Sequence, residues 1–278
     1  MNSKYMNNYL DIFSLKGKKA VITGGAGILC SSIAMGLGRA GAEIAICDIS
    51  DSKKTISDLR ENGIKAKSYY IDVTDIKEIQ KCKELLLKDF QTIDILINGA
   101  GGNVKEATTS KELSFFDIPT SALEKVIQIN LSSTIYTSQI FGKVMVLNQS
   151  GGSIINISSM NAYRPLTGIP GYSAAKAAVS NFTQWLAVYL ALEYNKNLRV
   201  NAIAPGFFLT EQLKYLHFDN MGNPTERAKK VLSHTPMGKY GDLDDLIGAC
   251  IWLASNASKF VTGAVIPIDG GFNAYSGV

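Results

Sequence analysis

The chain carries two histidines, His217 and His234, and four cysteines, Cys30, Cys47, Cys82 and Cys250, among 278 residues. So sparse a set excludes a histidine-built metal site. With no C-x-x-C pair among the cysteines, a cysteine-only zinc site is excluded as well. The thiols read as buried and reduced, as in an intracellular protein. Charge is equally thin, with 19% charged residues and a net charge of +4. No Lys/Arg stripe is present, so nucleic acid is not an expected partner. No apolar run approaches the ~20 residues that span a bilayer. The opening MNSKYMNNYLDIFSL lacks the apolar stretch and small-residue cleavage site of a secretory signal. The expectation is a cytoplasmic protein with no metal and no membrane partner.

What the sequence does hold is apolar surface, 46% of residues, enough for one large core. Short β-branched runs alternate with helical patterns. The strand candidates are 18–23, 42–48, 66–72, 93–98, 152–158, 198–204 and 264–269, with helical segments near 28–40, 52–62, 75–90, 119–147, 171–195 and 242–255. Nearly continuous apolar strands joined by helices imply a parallel sheet covered on both faces. Right-handed crossovers then give an α/β fold of three layers, a doubly wound parallel sheet of the Rossmann type. Residues 1–15 read as an N-terminal extension and 16–278 as a single domain. Two connections, near 101–118 and 205–241, are long for this rhythm. Both follow strand C-termini, where open α/β sheets bind ligands.

The first strand runs into Thr23-Gly24-Gly25-Ala26-Gly27 and then a helix. Glycines at such a turn let backbone approach a pyrophosphate, and the helix N-terminus offers free N–H groups. A plain tight turn is the alternative. Asp48 ends the second strand, 24 positions past Gly24. A carboxylate there accepts the hydroxyls of an adenosine ribose and repels a 2′-phosphate, which favours NAD (NADH) over NADP. Its alternative role is an N-cap of the next helix.

Tyr172 and Lys176 stand four residues apart, on one face of a helix. A free phenol has a pKa near ~10, and a fixed positive charge beside it favours phenolate. Such a tyrosine can exchange a proton with an alcohol as hydride is transferred. Ser159 lies 13 positions earlier, just after the GSIINIS strand, where its hydroxyl can hydrogen-bond a substrate oxygen. Ser158 competes for that role. Asn130 interrupts the apolar VIQINLSSTIY segment, and a buried amide bonded to neighbouring backbone would explain it equally.

Taken together, these segments resemble the short-chain dehydrogenase/reductase family from about residue 15 to the end. The family opens on T-G-x-x-x-G-x-G, and the chain departs from this. Ile28 and Cys30 stand at the second and third glycine positions, and Gly27 falls one place early. The resemblance implies a phosphate turn built from Gly24, Gly27, Ile28 and Leu29, with Ser31 or Ser32 offering hydroxyls. Asp72-Val73 resembles the pair that holds adenine. Asn98-Gly99-Ala100-Gly101 is similar to the N-N-A-G cofactor wall, with glycine replacing the second asparagine. Pro205-Gly206 with Thr210 resembles the segment that caps the nicotinamide. The family's spacing favours Ser159 over Ser158. It implies an Asn130–Ser159–Tyr172–Lys176 tetrad in which Asn130 holds a water that relays protons from Lys176. VTGAVIPIDGGFNAYSGV is similar to a segment that packs against a neighbouring subunit, implying a homotetramer.

For the substrate, Arg164 lies between Ser159 and Tyr172, and a guanidinium there can take a carboxylate bidentately. Asn161, Asn103 and Lys105 join it as candidates, pointing to an acidic sugar. A solvated or intersubunit Arg164 is the alternative, and Phe115, Phe116, Phe207 and Phe208 keep an apolar substrate open. The strings GAGGNVKEATT, NAIAPGFFLTEQ and HTPMGKYG resemble the D-mannonate oxidoreductase (fructuronate reductase) branch of the family. Neighbouring branches act on gluconate, deoxygluconate and other polyols. A dinucleotide-binding sensor or scaffold without catalysis is the rival from another class, and its sign would be loss of Tyr172 or Lys176.

Overall fold

A computed structural model describes residues 9–210, 217–219 and 221–277. Residues 211–216 and 220 of the expected 205–241 loop, and residues 1–8 of the expected extension, lie outside that set. Seven strands form one sheet: β1 (Lys19–Thr23), β2 (Glu43–Asp48), β3 (Ala66–Tyr70), β4 (Ile95–Asn98), β5 (Gly152–Ile157), β6 (Leu198–Pro205) and β7 (Val265–Ile268). All pairs are parallel, in the order β3-β2-β1-β4-β5-β6-β7. This is the doubly wound α/β architecture expected from the apolar runs.

Side-chain alternation along each strand divides the interior into two cores. Ala20, Ile22, Ile44, Ile46, Ile95, Ile97 and Ile155 face one side, against α1 (Ile28–Arg39), α2 (Lys53–Glu61) and the C-terminal helix. Val21, Ala45, Cys47, Leu96 and Ile154 face the other side, against α3 (Ile76–Phe90) and the two long central helices. A strand packed on both faces has no polar side to show, which is why the runs lack alternation in sequence. Leu15 is fully buried, and its N–H donates to the Ala40 carbonyl at 2.8 Å, so the end of the expected extension is fastened to the core.

The segment expected as one helix over 119–147 is three pieces. It comprises α4 (Thr120–Ile127), a π turn (Gln128–Ser132) and α5 (Ser133–Met145). Asn130 sits in the π turn, which explains a polar residue in an otherwise apolar run. Next come α6 (Pro170–Glu193), begun by proline in its first turn, and α7 (Glu226–Ser233), a helix that the loop reading of 205–241 did not foresee. The Thr225 hydroxyl caps α7 by accepting the Ala228 N–H at 3.2 Å. A 3₁₀ turn over Leu243–Leu246 leads into α8 (Ile247–Ala254). No described helix is long and apolar enough to cross a membrane.

Polar groups inside the sheet are paired. The Asn98 amide donates to Ser138 Oγ at 2.9 Å and Asn156 Oδ1 at 2.8 Å, and its Oδ1 accepts from Thr137 at 2.7 Å. Asn156 in turn donates to Thr183 Oγ1 at 2.9 Å, so one buried chain of bonds runs from α5 through β4 and β5 to α6. Arg199 on β6 is a buried cation spent on Ser258 Oγ (2.9 Å) and on the carbonyls of Leu253 (2.8 Å), Ser255 (3.1 Å) and Val261 (3.4 Å).

Candidate active site

Strand order reverses between β1 and β4, so their C-terminal ends open a crevice, the usual ligand position of such sheets. On its β1 side, Gly24 adopts φ +64°, and a Cβ there would lie 2.7 Å from the Ala100 backbone. Only glycine fits, and the turn consequently lies close against the β4 wall. Gly27 is the N-cap of α1 and no side chain caps the helix, which leaves its N-terminal N–H groups for an anion. Ser31, one of the two candidate hydroxyls, instead donates to the Ile28 carbonyl at 3.0 Å. Asp48 closes the far side. One carboxylate oxygen accepts the Ala26 N–H at 2.9 Å and the other the Ser50 N–H at 2.8 Å, which fixes the carboxylate against the glycine turn. Asp72 Oδ1 accepts both the N–H and the hydroxyl of Thr74, at 2.8 and 2.7 Å, and Val73 packs on the core beside it. At the other rim, the Gly206 N–H donates to the Ile268 carbonyl at 2.9 Å, and a Cβ on Gly206 would lie 2.6 Å from Asp269. Thr210 is buried nearby on the same connection.

The chemistry-bearing side chains gather where β5 ends. Ser159 begins a 3₁₀ turn (Met160–Ala162), and its hydroxyl accepts the Asn161 N–H at 3.2 Å. Ser158 is committed elsewhere. Its hydroxyl donates to the Lys176 carbonyl at 3.1 Å and pairs with Ser180 Oγ at 2.7 Å. Tyr172 and Lys176 share a face of α6, with Nζ 5.6 Å from the phenol ring centroid. Lys176 is 4% exposed and donates to the Ile157 carbonyl at 2.7 Å. Burial pushes its pKa down to about 8, opposed by the field of the Cys30 thiol.

One expectation reverses. Burial raises the Tyr172 pKa above its ordinary value, and the Ser159 hydroxyl, within hydrogen-bonding reach of the phenol, only partly opposes the rise. The physical reason is that the pocket desolvates phenol and ammonium together, so the cation that was to favour phenolate is itself disfavoured by the same burial.

Asn130 is fully buried, and its side chain bonds to backbone. Its amide donates to the carbonyls of Gly102 (2.6 Å) and Val126 (2.8 Å), and its Oδ1 accepts the Gly102 N–H at 3.0 Å. A Cβ on Gly101 would lie 2.6 Å from that Oδ1 and 3.4 Å from Lys176 Nζ, so the bare glycine is what lets the wall close over the amide and the ammonium.

The candidate substrate residues each make contacts of their own. Asn103 is exposed, with its amide on Val104 O and Thr108 Oγ1 at 3.0 and 2.7 Å, and Lys105 is exposed in a short 3₁₀ turn. The Arg164 Nε donates to the Asn273 carbonyl at 3.2 Å, joining the segment after Ser159 to the C-terminal residues. Asn161 is buried, with no partner for its Oδ1 among the described residues. It lines a cavity of about 570 Å³ with Thr109, Phe115, Leu166, Ser173 and Ala177. A second cavity, of about 230 Å³, lies between Phe207, Phe208, Tyr240 and Asp269. Neither is lined by Tyr172, Ser159 or Lys176. Among the described residues no three His, Cys, Asp or Glu side chains gather as a metal site. The sequence reading missed Thr137, Ser138 and Asn156, which bond Asn98, and Thr183, which bonds Asn156; together they anchor the end of β4. Polar residues repeating inside apolar elements were the available signal.

A family model described as Enoyl-(Acyl carrier protein) reductase matches residues 26–273. The chain belongs to the short-chain dehydrogenase/reductase family. It is an oxidoreductase of that family, acting between CH–OH and carbonyl groups. An uncharacterized oxidoreductase of Haemophilus influenzae is 46% identical, over 95% of this chain and 96% of its own. A Haemophilus crystal structure with bound NAD, of a protein provisionally named D-mannonate oxidoreductase, superposes with a TM-score of 0.90. It is 45% identical and covers 95% of this chain and 98% of its own. The 2-dehydro-3-deoxy-D-gluconate 5-dehydrogenase of Dickeya dadantii is 35% identical over 95% and 99% of the two chains.

The lowered Lys176 pKa makes a stability prediction. In the unfolded chain a lysine titrates near ~10.4. Between about 8 and that value the folded state therefore binds fewer protons than the unfolded state. Stability then rises with pH across this window, and the cost of the buried charge is fully present below it. Relative to Lys176→Met, the wild type should gain on the order of 3 kcal/mol between pH 7.5 and 10.5. Chemical denaturation of both proteins at several pH values checks this, and parallel curves would refute it.

Proposed function

We propose that this chain is an NAD(H)-dependent dehydrogenase that interconverts a secondary alcohol and a ketone on a sugar acid, with D-mannonate and D-fructuronate as the pair. The observation that carries the reading is the Ser159–Tyr172–Lys176 group at the sheet's C-terminal edge, its serine and lysine buried and its phenol partly so, beside a glycine turn closed by Asp48. The residues present fit a dinucleotide. The Gly24–Leu29 turn and the uncapped α1 N-terminus suit the pyrophosphate, and Asp48 suits a ribose with a free 2′-hydroxyl. Asp72-Val73 would hold the adenine, while Asn98, Ala100, Gly101, Pro205, Gly206 and Thr210 would wall the nicotinamide half. When bound, NAD supplies a hydride acceptor, and NADH a donor.

The chain's own residues do the proton work. The Ser159 hydroxyl orients the substrate oxygen and donates to it as negative charge develops. The Tyr172 hydroxyl accepts the alcohol proton in oxidation and returns it in reduction. Lys176 holds positive charge beneath the phenol, and its bond to the Ile157 carbonyl fixes where that charge sits. Asn130, its side chain bonded on both sides of Gly102, holds the Gly101–Gly102 turn against Lys176. In this reading Arg164 and Lys105 are the cations for the substrate carboxylate, and Asn103 and Asn161 its polar contacts. The similarity to the NAD-bound Haemophilus structure supports both the cofactor and the mannonate assignment.

A nicotinamide absorbance assay with NAD or NADP against D-mannonate, D-gluconate and 2-deoxy-D-gluconate tests the proposal. D-mannonate turnover with NAD is the expected result. Turnover of another acid alone would remove the mannonate assignment and keep the chemistry. No turnover together with tight NADH binding would point to the sensor reading. We also propose a homotetramer, supported by the exposed Trp185, Val188, Tyr189 and Leu192 on α6 and Phe260 before the edge strand β7. A monomer mass by sedimentation would remove it.

A further inference from the structure

Two departures from the family's motifs meet in space. Cys30 stands at the third glycine position of the opening motif, and Gly99 at the second asparagine of the cofactor wall. A Cβ built on Gly99 would lie 2.2 Å from Cys30 Sγ and 2.9 Å from the Thr23 carbonyl oxygen, closer than real Cβ contacts allow. With the thiol present no side chain can stand at position 99, and with it gone a Cβ there still requires a small shift of the Thr23 carbonyl. Cys30 is 4% exposed in the first turn of α1 and belongs to the core on that face of the sheet.

The backbone around this sulfur is close-packed and polar. Thr23 Oγ1 accepts the N–H groups of Gly99 and Ala100 at 3.2 and 3.4 Å, joining the β1 turn to the β4 wall. Gly24 presses on Ala100 from the other side. The thiol feels the fields of both Lys176 and Asp48. Burial pushes its pKa up to about 12, so its contribution is volume rather than ionisation.

We propose that Cys30 and Gly99 are a compensating pair, in which the thiol occupies the space the motif gives to a side chain at 99 and thereby sets the distance between phosphate turn and cofactor wall. Cys30 is then a positioning residue for the dinucleotide, and the inference rests on the dinucleotide reading of this turn. Cys30→Gly empties that volume, and the turn loses the contact that holds it. Gly99→Asn drives a side chain into the sulfur. Making both changes exchanges one filler for the other.

The test is a double-mutant cycle on the full chain, with NADH binding read by fluorescence titration, thermal unfolding beside it, and kcat at saturating cofactor. Each single variant should weaken NADH binding about tenfold or more, and the double variant should bind at least about threefold more tightly than either single variant. For Cys30→Gly the loss should fall on KM for NAD more than on kcat, because the changed volume lies at the phosphate turn and Ser159, Tyr172 and Lys176 keep their places. Additive losses, or a Cys30→Gly variant that binds NADH like wild type, would overturn the pairing. Should Gly99→Asn alone fail to fold, the comparison of Cys30→Gly with the double variant decides. Adding Gly99→Asn to the Cys30→Gly background must then tighten binding, and no gain overturns the proposal. Failure of the wild type to bind NADH would reject the dinucleotide reading instead. The pairing would then stand or fall on whether the unfolding temperatures show the same rescue.

Discussion

Replacing Tyr172 by Phe should lower turnover of the alcohol substrate by about a thousandfold or more, within the range expected when a positioned acid–base group is lost. Binding of NADH should stay within about twofold. The ring remains, packed beside Val104 and Leu123 against Ala107, Ala122 and Val126, so the unfolding temperature should move little. The loss should appear in kcat more than in KM, because the hydroxyl is needed when the proton moves rather than when substrate docks. Steady-state kinetics with equilibrium NADH binding on the same preparation checks this. Activity within tenfold of wild type would displace Tyr172 from the proton-transfer role and throw attention onto Ser159 and Lys176.

The second large effect is on folding. Arg199→Met should cost about 3 kcal/mol, because buried carbonyls that lose a charge-assisted donor keep their desolvation penalty. The guanidinium ties the last carbonyls of α8 to the approach to β7, through Leu253, Ser255, Val261 and Ser258. Burial lowers its pKa, so this cation is held for its fan of donors and not for an ion pair. Arg199→Lys should restore little, since a compact ammonium cannot spread over acceptors that the wide guanidinium fork reaches together. Urea denaturation of both variants measures the effect. A loss below about 0.5 kcal/mol for Arg199→Met would mean that water replaces the guanidinium at no cost.

The fold was open to reading because two-sided burial writes itself as uninterrupted apolar runs. LRVNAIA, expected over 198–204, forms β6 over Leu198–Pro205, all of it buried. Tyr172 and Lys176 were legible because a four-residue spacing means one helix face in any helix. Other parts left weaker traces. Asn156 and Thr183 look like ordinary polar interruptions until a strand and a helix bring them together. α7 was hidden in a long connection because eight residues with one apolar stripe resemble a solvated loop. Arg164 was read toward substrate from its place in the chain, yet its bond to Asn273 depends on where the C-terminus returns, which no local pattern encodes. The Tyr172 pKa required knowing how deep the phenol lies.

The π turn at Gln128–Ser132 sets a rule for editing the chain. A π turn holds one residue more than an α turn, and each residue advances a helix by about 100°. Upstream, α4 presents Ala122 and Val126 to the cluster that backs Tyr172. Downstream, α5 presents Thr137 and Ser138 to Asn98. The phase between these two faces is kept by a single residue. Loss of one codon here, even that of an innocuous Leu131, would force the rod to abandon either the support of the phenol or the anchor of Asn98 at the end of β4. A deletion anywhere in this turn is therefore a change at Tyr172 and at Asn98 at once.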